Sequence, residues 1–344
     1  MNFPPQVSVI VPVYNSSKSV EASLRSLFAQ SLRDIEIIAV DDASTDDSAA
    51  VIERLASLEP RLKVIRLAEN RGVHEARAAG LRASAAPWIG FMDADDFASQ
   101  QLFQRLLDAC LEDDADIAIC GADEVDSSRR VIRSKVRFNS CAVVEEDIFR
   151  RFCRMRLGTG ALWNKLYRRE LITPFARTSW RWRQDANEDT LVNIGCFLGA
   201  RRVRLLDEQL YGYVIHEQSA TQSTDPAAAY CRLLRAFAVA VDHYGHRGYS
   251  VLDEISRLYS IQLAYPCYQA PSPADLNPHE KQLGEALSLL AEQHPVGLAV
   301  HANRPAECHK TPESVRTALK TAARPLARLP RLVLQALSRR ITGA

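Results

Sequence analysis

No Cys-x-x-Cys pair occurs among the cysteines at 110, 120, 141, 153, 196, 231, 267 and 308, which argues against a zinc ribbon or a dithiol redox centre. Cys120 and Cys196 stand inside apolar runs, where a thiol acts as a small hydrophobe. The first residues, Met1-Asn2-Phe3-Pro4-Pro5, lack the basic and apolar segments of a secretory signal. A reducing cytoplasm is therefore the expected setting. No apolar stretch reaches the roughly 18–20 residues that a bilayer-spanning helix needs. Two phosphate-binding signatures are also missing. The G-x-G-x-x-G fingerprint does not follow the first predicted strand, where Pro12-Val13-Tyr14-Asn15 stands instead, and G-x-x-x-x-G-K-[ST] occurs nowhere. There is no internal repeat and no low-complexity segment. The main body has no excess of positive charge either. The chain carries a net +1, but residues 310–344 hold eight basic and one acidic side chain, which leaves −6 for the rest. Nucleic acid is not an expected partner of that body.

What is present is an ordinary globular composition, 47% hydrophobic and 25% charged over 344 residues. The length suffices for two or three domains. Through residue 125 the pattern alternates between β-like and helical. Strands are expected at 7–14, 35–40, 62–67, 88–92 and 116–120, and helices at 19–29, 47–58, 73–83 and 102–111. Repeated β–α units with short connections predict a mainly parallel sheet with helices on both faces. Beyond residue 125 the pattern weakens. It leaves one or two strands in 131–144, helices near 146–156 and 189–198, a strand at 205–215, and helical character over 227–302.

In such sheets, ligands bind outside the carboxyl ends of the strands. Tyr14, Asp42, the segment Asn70–Arg77 and the run Asp93-Ala94-Asp95-Asp96 each follow a different strand. They should meet in one crevice. Carboxylates at the end of a buried strand need a cation or ligand to offset their charge. In an extended segment Asp93 and Asp95 would share a side and could face one hard divalent cation, while Asp96 would turn away and cap the next helix. Mg²⁺ typically takes one or two carboxylates and fills its shell with water and substrate phosphates. An aromatic ring, a lone carboxylate, an arginine and an acid pair together suit a nucleoside diphosphate. Taken singly, Tyr14 also suits core packing and Arg77 a solvated helix face.

Four ordered motifs carry a resemblance. They are Val9-Ile10-Val11-Pro12-Val13-Tyr14-Asn15, Val40-Asp41-Asp42-Ala43-Ser44-Thr45-Asp46, Asn70-Arg71-Gly72-Val73-His74-Glu75-Ala76-Arg77 and Phe91-Met92-Asp93-Ala94-Asp95-Asp96. With Leu162-Trp163-Asn164-Lys165-Leu166-Tyr167 and Asn187-Glu188-Asp189, they resemble family 2 glycosyltransferases over roughly residues 5–220. The resemblance implies the GT-A, Rossmann-like fold with an added C-terminal helical region, and inverting transfer from a nucleotide-diphosphate sugar, most readily a UDP-sugar. It implies Pro12, Tyr14, Asp42, Arg77 and Asp93 at the nucleotide, and Asp93, Asp95 and His216 at Mn²⁺ or Mg²⁺. Asp189 would be the catalytic base. Its place before the apolar run Leu191, Val192, Ile194 and Phe197 puts it near a helix N-terminus, which favours an ionised carboxylate. Trp163, Lys165 and Glu188 would line the acceptor side. Ala43 replaces the glycine usual in the second motif, in a conformation alanine should tolerate.

The expected organisation is a nucleotide-sugar half at 1–125, an acceptor half at 126–222, a helical region at 223–309 and a basic tail at 310–344. In the tail, Val315, Leu319, Ala322, Leu326, Leu329, Val333 and Leu337 recur at helical spacing between arginines and lysines. That pattern suits an anionic membrane surface. Pro325 and Pro330 should divide it into short helices. A peripheral enzyme of cell-surface polysaccharide synthesis, acting on a saccharide or lipid-linked saccharide, is the leading expectation. One rival, a sugar-phosphate nucleotidyltransferase, predicts a glycine- and lysine-rich first loop, which Pro12–Ser17 lacks. The other, a non-catalytic membrane-associated protein, predicts damaged acidic motifs, and these are intact.

Overall fold

A computed structural model gives the fold and describes residues 4–184, 187–215, 225–263, 265 and 273–292. The chain divides into two compact units, Met1–Glu217 and Gln218–Ala344. His216 and the whole 310–344 tail lie outside the described residues.

The first unit is built on one sheet. Its strands are β1 (Val7–Val13), β2 (Ile35–Asp41), β3 (Leu62–Arg66), β4 (Trp88–Phe91), β5 (Phe97–Ala98), β6 (Ile117–Val125), β7 (Val131–Val136), β8 (Ala142–Val144), β9 (Lys165–Arg168) and β10 (Val203–Val214). Their order is β3-β2-β1-β4-β9-β6-β10-β5, with β7 beside β6 and β8 beside β10. The parallel half, β3-β2-β1-β4, is as the alternating pattern predicts. The other half is mixed. β9 runs antiparallel between β4 and β6, and β5, β7 and β8 also pair antiparallel. The expected parallel pairing extends to β6 and β10, and the short strands β5, β7, β8 and β9 add antiparallel pairs that the pattern did not show. β9, only Lys165–Arg168, is too short to leave a periodic signal, so it went unread.

Helices α1 (Val20–Phe28), α2 (Ser48–Ala56), α3 (Val73–Ala83), α4 (Leu102–Glu112), α5 (Ile148–Cys153), α6 (Arg169–Ile172) and α7 (Glu188–Gly199) complete this unit. β1 and β2 are almost wholly buried runs of β-branched residues, as strands covered on both faces require. α1 turns Val20, Leu24 and Leu27 inward and α4 turns Leu102, Phe103, Leu106 and Leu107 inward, the stripe expected of an amphipathic helix. α3 approaches the sheet closely at Gly80, where an added Cβ would lie 2.4 Å from Ile10 Cγ2. That approach brings the start of α3, and Arg77 on it, up to the strand ends.

The second unit contains α8 (Pro226–Tyr244), α9 (Tyr249–Gln262), α10 (Pro273–Leu276) and α11 (Glu280–Glu292). Asp225 caps α8 by accepting the Ala228 N–H at 3.0 Å, and Pro226 opens the helix where its missing N–H costs nothing. No helix among the described residues is long and apolar enough to cross a membrane.

Candidate active site

The loops at the carboxyl ends of β1, β2, β3 and β4 are tied to one another. Asn15 and Ala43 both take left-handed backbone, with φ of 48° and 56°. Between them, the Asn15 N–H donates to Ser44 Oγ at 3.0 Å and Asn15 Oδ1 accepts the Thr45 N–H at 2.8 Å. Tyr14, at the mouth of this pair, is 48% exposed, so the ring stands out of the core with room for a stacking partner. Ala43 therefore occupies its position with backbone strain, contrary to the easy fit expected from its sequence.

Asp42 is buried at the end of β2, and its two oxygens accept the Arg71 and Gly72 N–H groups, each at 2.8 Å. The carboxylate thus shapes the Asn70–Gly72 loop. Each oxygen keeps a further lone pair for a ligand. Arg183 reinforces that loop, donating to the Asn70 backbone oxygen at 3.0 Å and to its Oδ1 at 2.5 Å.

The acidic run is not extended. Residues 94 and 95 form a turn closed by the Asp96 N–H on the Asp93 oxygen at 3.3 Å, so the shared-side argument for Asp93 and Asp95 fails. The turn sets where each carboxylate stands, and both remain half-buried. Asp96 is no helix cap either, since α4 begins only at Leu102. It is buried, with Oδ2 accepting from the Tyr211 hydroxyl at 2.7 Å and Oδ1 accepting from the Val214 N–H at 2.8 Å. The Tyr211 oxygen in turn accepts the Asp93 N–H at 3.3 Å. Burial, and then the charges of Asp93 and Asp95, push the Asp96 carboxyl well above its ordinary range. Tyr211 is a site residue the sequence reading missed. Its only signal was the aromatic alternation of Tyr211-Gly212-Tyr213 along β10.

Arg77 occupies the centre. Its guanidinium donates to Asp93 Oδ1 at 2.9 Å and also to Glu188 Oε1. It is 8% exposed. Burial opposes its charge, yet Glu188, Asp93 and Asp189 hold it firmly protonated. Arg77, expected at the nucleotide, bridges two carboxylates. It joins the acidic turn after β4 to the first turn of α7, segments 95 residues apart from Asp93 to Glu188. Glu188 is likewise not on an acceptor surface, because it is buried against Arg77.

Asp189 follows at the start of α7. Asn187 enters the helix in left-handed backbone, φ 63°, and Asp189 Oδ1 accepts the Thr190 N–H at 2.7 Å. The helix start was expected to hold this carboxyl low. Instead burial, together with the neighbouring Glu188 charge, pushes it up to about 7, against the opposing pull of Arg77. A group poised near neutrality is what a general base needs.

Trp163 and Lys165 do not line an acceptor surface. Trp163 is buried and stacks on Tyr211, with centroids 4.4 Å apart and planes at 17°. Lys165 opens the central strand β9 and is fully buried, its ammonium folded back onto the preceding loop. Pro12 lies within β1, half-buried and in register with Val40. Among the described residues no cluster of three or more potential metal ligands gathers. The acidic turn offers hard carboxylate oxygens, and this donor set fits a Mg²⁺- or Mn²⁺-type cation that completes its shell with phosphates.

A mixed α/β sheet with the loops after β1, β2, β3 and β4 tied together at its strand ends is the arrangement of a GT-A glycosyltransferase. The family model for "Glycosyl transferase family 2" matches residues 8–173. EpsJ of Bacillus subtilis (strain 168), described as an uncharacterized glycosyltransferase, is 32% identical over 291 residues, covering 81% of this chain and 83% of EpsJ. YibD of Escherichia coli (strain K12), also described as an uncharacterized glycosyltransferase, is 28% identical over 64% of this chain and 65% of its own length. A crystal structure of Staphylococcus aureus TarS 1–349 superposes with a TM-score of 0.66 at 20% identity, covering 98% of this chain and 92% of that one. TarS has also been solved in complex with UDP-GlcNAc. The chain belongs to glycosyl transferase family 2.

Proposed function

We propose that this glycosyltransferase moves a sugar, with inversion, from a nucleoside diphosphate sugar to a hydroxyl of a saccharide or lipid-linked saccharide, in cell-surface polysaccharide synthesis. The observation that carries this reading is the Arg77 bridge, which brings the acidic turn and the Asp189 helix start to one place. Asp189 takes the proton of the acceptor hydroxyl as that oxygen attacks the anomeric carbon. The bond from that carbon to the phosphate oxygen breaks, and the nucleoside diphosphate leaves. Tyr14 stacks on the base, and Asp42 accepts from the base or ribose with its remaining lone pairs. A divalent cation, Mn²⁺ or Mg²⁺, held by Asp93 and Asp95, with His216 as a further candidate ligand, would neutralise charge on the departing diphosphate. UDP is the favoured nucleotide, in line with the TarS complexes with UDP-GlcNAc and with UDP. Residues 1–125 would hold the donor, and 126–222 would face the acceptor. The basic tail would keep the enzyme on the inner face of the cytoplasmic membrane.

Thermal-shift and transfer assays against UDP-, GDP- and dTDP-sugars, with and without Mn²⁺ or Mg²⁺, test the donor. NMR of the product's anomeric centre tests inversion, and a retained configuration overturns the single displacement. Asp189→Asn is expected to lose transfer by about a hundredfold or more while still binding the nucleotide. Full activity in that variant removes Asp189 as the base. For the tail, sedimentation with anionic liposomes compares the chain with and without 310–344, and equal binding rejects the membrane role.

A further inference from the structure

A lysine with no solvent exposure is rare unless its charge is matched. Lys165 is such a residue, at 0% exposure in the middle of the sheet. Its ammonium donates to the Thr159 oxygen at 3.1 Å, the Ala161 oxygen at 2.5 Å and Asn164 Oδ1 at 2.9 Å. All of its donors are thereby used, and they gather the 159–164 loop around one point. The same loop is tied from the other side by α7. Asn193 Nδ2 donates to the Gly160 oxygen at 2.6 Å and to the Ala161 oxygen at 3.2 Å, while its Oδ1 accepts from the Tyr167 hydroxyl at 2.8 Å. Gly160 lies so close to α7 that an added Cβ would stand 2.2 Å from Thr190 Oγ1. Thr190 is the neighbour of Asp189.

We propose that Lys165 is a positioning residue for glycosyl transfer: it locks the 159–164 loop against the first turns of α7 and so sets the place and charge of Asp189. This inference rests on the reading of Asp189 as the base. An apolar side chain would fill the core at lower cost than a buried cation, and it would leave the Thr159 and Ala161 oxygens without this donor. Burial draws the Lys165 ammonium down to about 7, while the charge of Asp189 acts to keep it protonated. Around Asp189 the other charged groups are Glu188, Arg77 and Asp93. The cation of Lys165 adds to Arg77 in favouring the Asp189 carboxylate.

Lys165→Met keeps an unbranched stem and removes the charge. Its expected kcat is about tenfold to a hundredfold lower, with unchanged binding of the donor's nucleoside diphosphate. The acidic limb of its kcat–pH profile moves to higher pH. Asn193→Ala loosens the loop from α7 without removing a charge, so kcat falls and the limb stays where it is in the unmodified enzyme. Wild-type kcat and an unmoved limb in Lys165→Met overturn the proposal, as does wild-type kcat in folded Asn193→Ala. If Lys165→Met does not fold, Asn193→Ala decides alone: lost kcat with retained nucleotide binding supports the proposal. Asp189→Asn separates the two readings. Full transfer in that variant removes the base. An inactive Asp189→Asn beside unaffected Lys165→Met and Asn193→Ala removes only the role of Lys165.

Discussion

Asp189 sits at a helix start that should favour its charge, yet burial beside Glu188 lifts its carboxyl to about 7. Burial outweighs the helix dipole here because the dipole typically contributes only about 0.3–1 kcal/mol at such a site. On the proposed role of Asp189 as the base, kcat climbs with pH up to about 7 and then levels, because only the ionised form takes a proton. A profile flat from pH 5 to 8 would contradict this. The consequence for stability has the opposite sign. The folded-state value lies above the unfolded one, so the folded chain binds the extra proton in that window. The contribution of Asp189 is fully present below the unfolded value and is lost as pH rises through about 7. Asp189→Asn should therefore be more stable than the parent at pH 8, by about 1–3 kcal/mol after allowance for partial exposure. The gain should vanish near pH 3.5, at roughly the ordinary carboxylate value. Denaturant melts at both pH values check this. Ala43, at φ 56°, is a second strained residue. Ala43→Gly should raise stability by about 1 kcal/mol, the left-handed cost of a Cβ less the entropy of glycine, as read by the thermal midpoint.

Between elements, the acidic turn depends on β10. Asp96 takes its bonds from Tyr211 and Val214, and Tyr211 reaches back to the Asp93 N–H. Tyr211 is itself stacked on Trp163 from the loop before β9. The turn that presents Asp93 and Asp95 is thus held by a strand more than a hundred residues away. Asp96→Ala leaves a buried hydroxyl and a buried N–H short of acceptors, and should cost about 2–4 kcal/mol. Nucleotide affinity should fall with it, even though Asp93 and Asp95 are untouched. Unfolding curves and nucleotide titration measure the two effects. Unchanged affinity would show that the turn holds its shape without β10.

At the scale of the molecule, Arg77 is what makes one site out of two distant segments. It is buried between Asp93 and Glu188, and its planar fork can serve both carboxylates at once. Lysine has a single ammonium and no such fork. Arg77→Lys should lower the thermal midpoint and reduce transfer more than it reduces nucleotide binding. A variant with parent-like transfer would show that the bridge is dispensable.

Much of this was legible in the sequence, for a local reason. Short, mostly apolar runs and amphipathic stripes specify β1 to β4, α1 and α4, and ligands in such sheets bind at strand ends. Tyr14, Asp42, Asp93 and Asp95 were placed at strand ends that way. The partners of charged side chains were not legible. Arg77 was read as lying at the nucleotide, Asp96 as a helix cap, and Lys165 with Trp163 as an acceptor wall. Arg77 and Asp96 turned inward because a contact distant in sequence offset their burial, Glu188 for Arg77 and Tyr211 for Asp96, while Lys165 folded back onto the nearby 159–164 oxygens. Residue order alone determined the strands, the helices and the corners where chemistry gathers. Tertiary structure alone decided which charges are buried and paired, because burial and Coulomb energy depend on neighbours in space, and those neighbours are up to 118 positions apart in the chain.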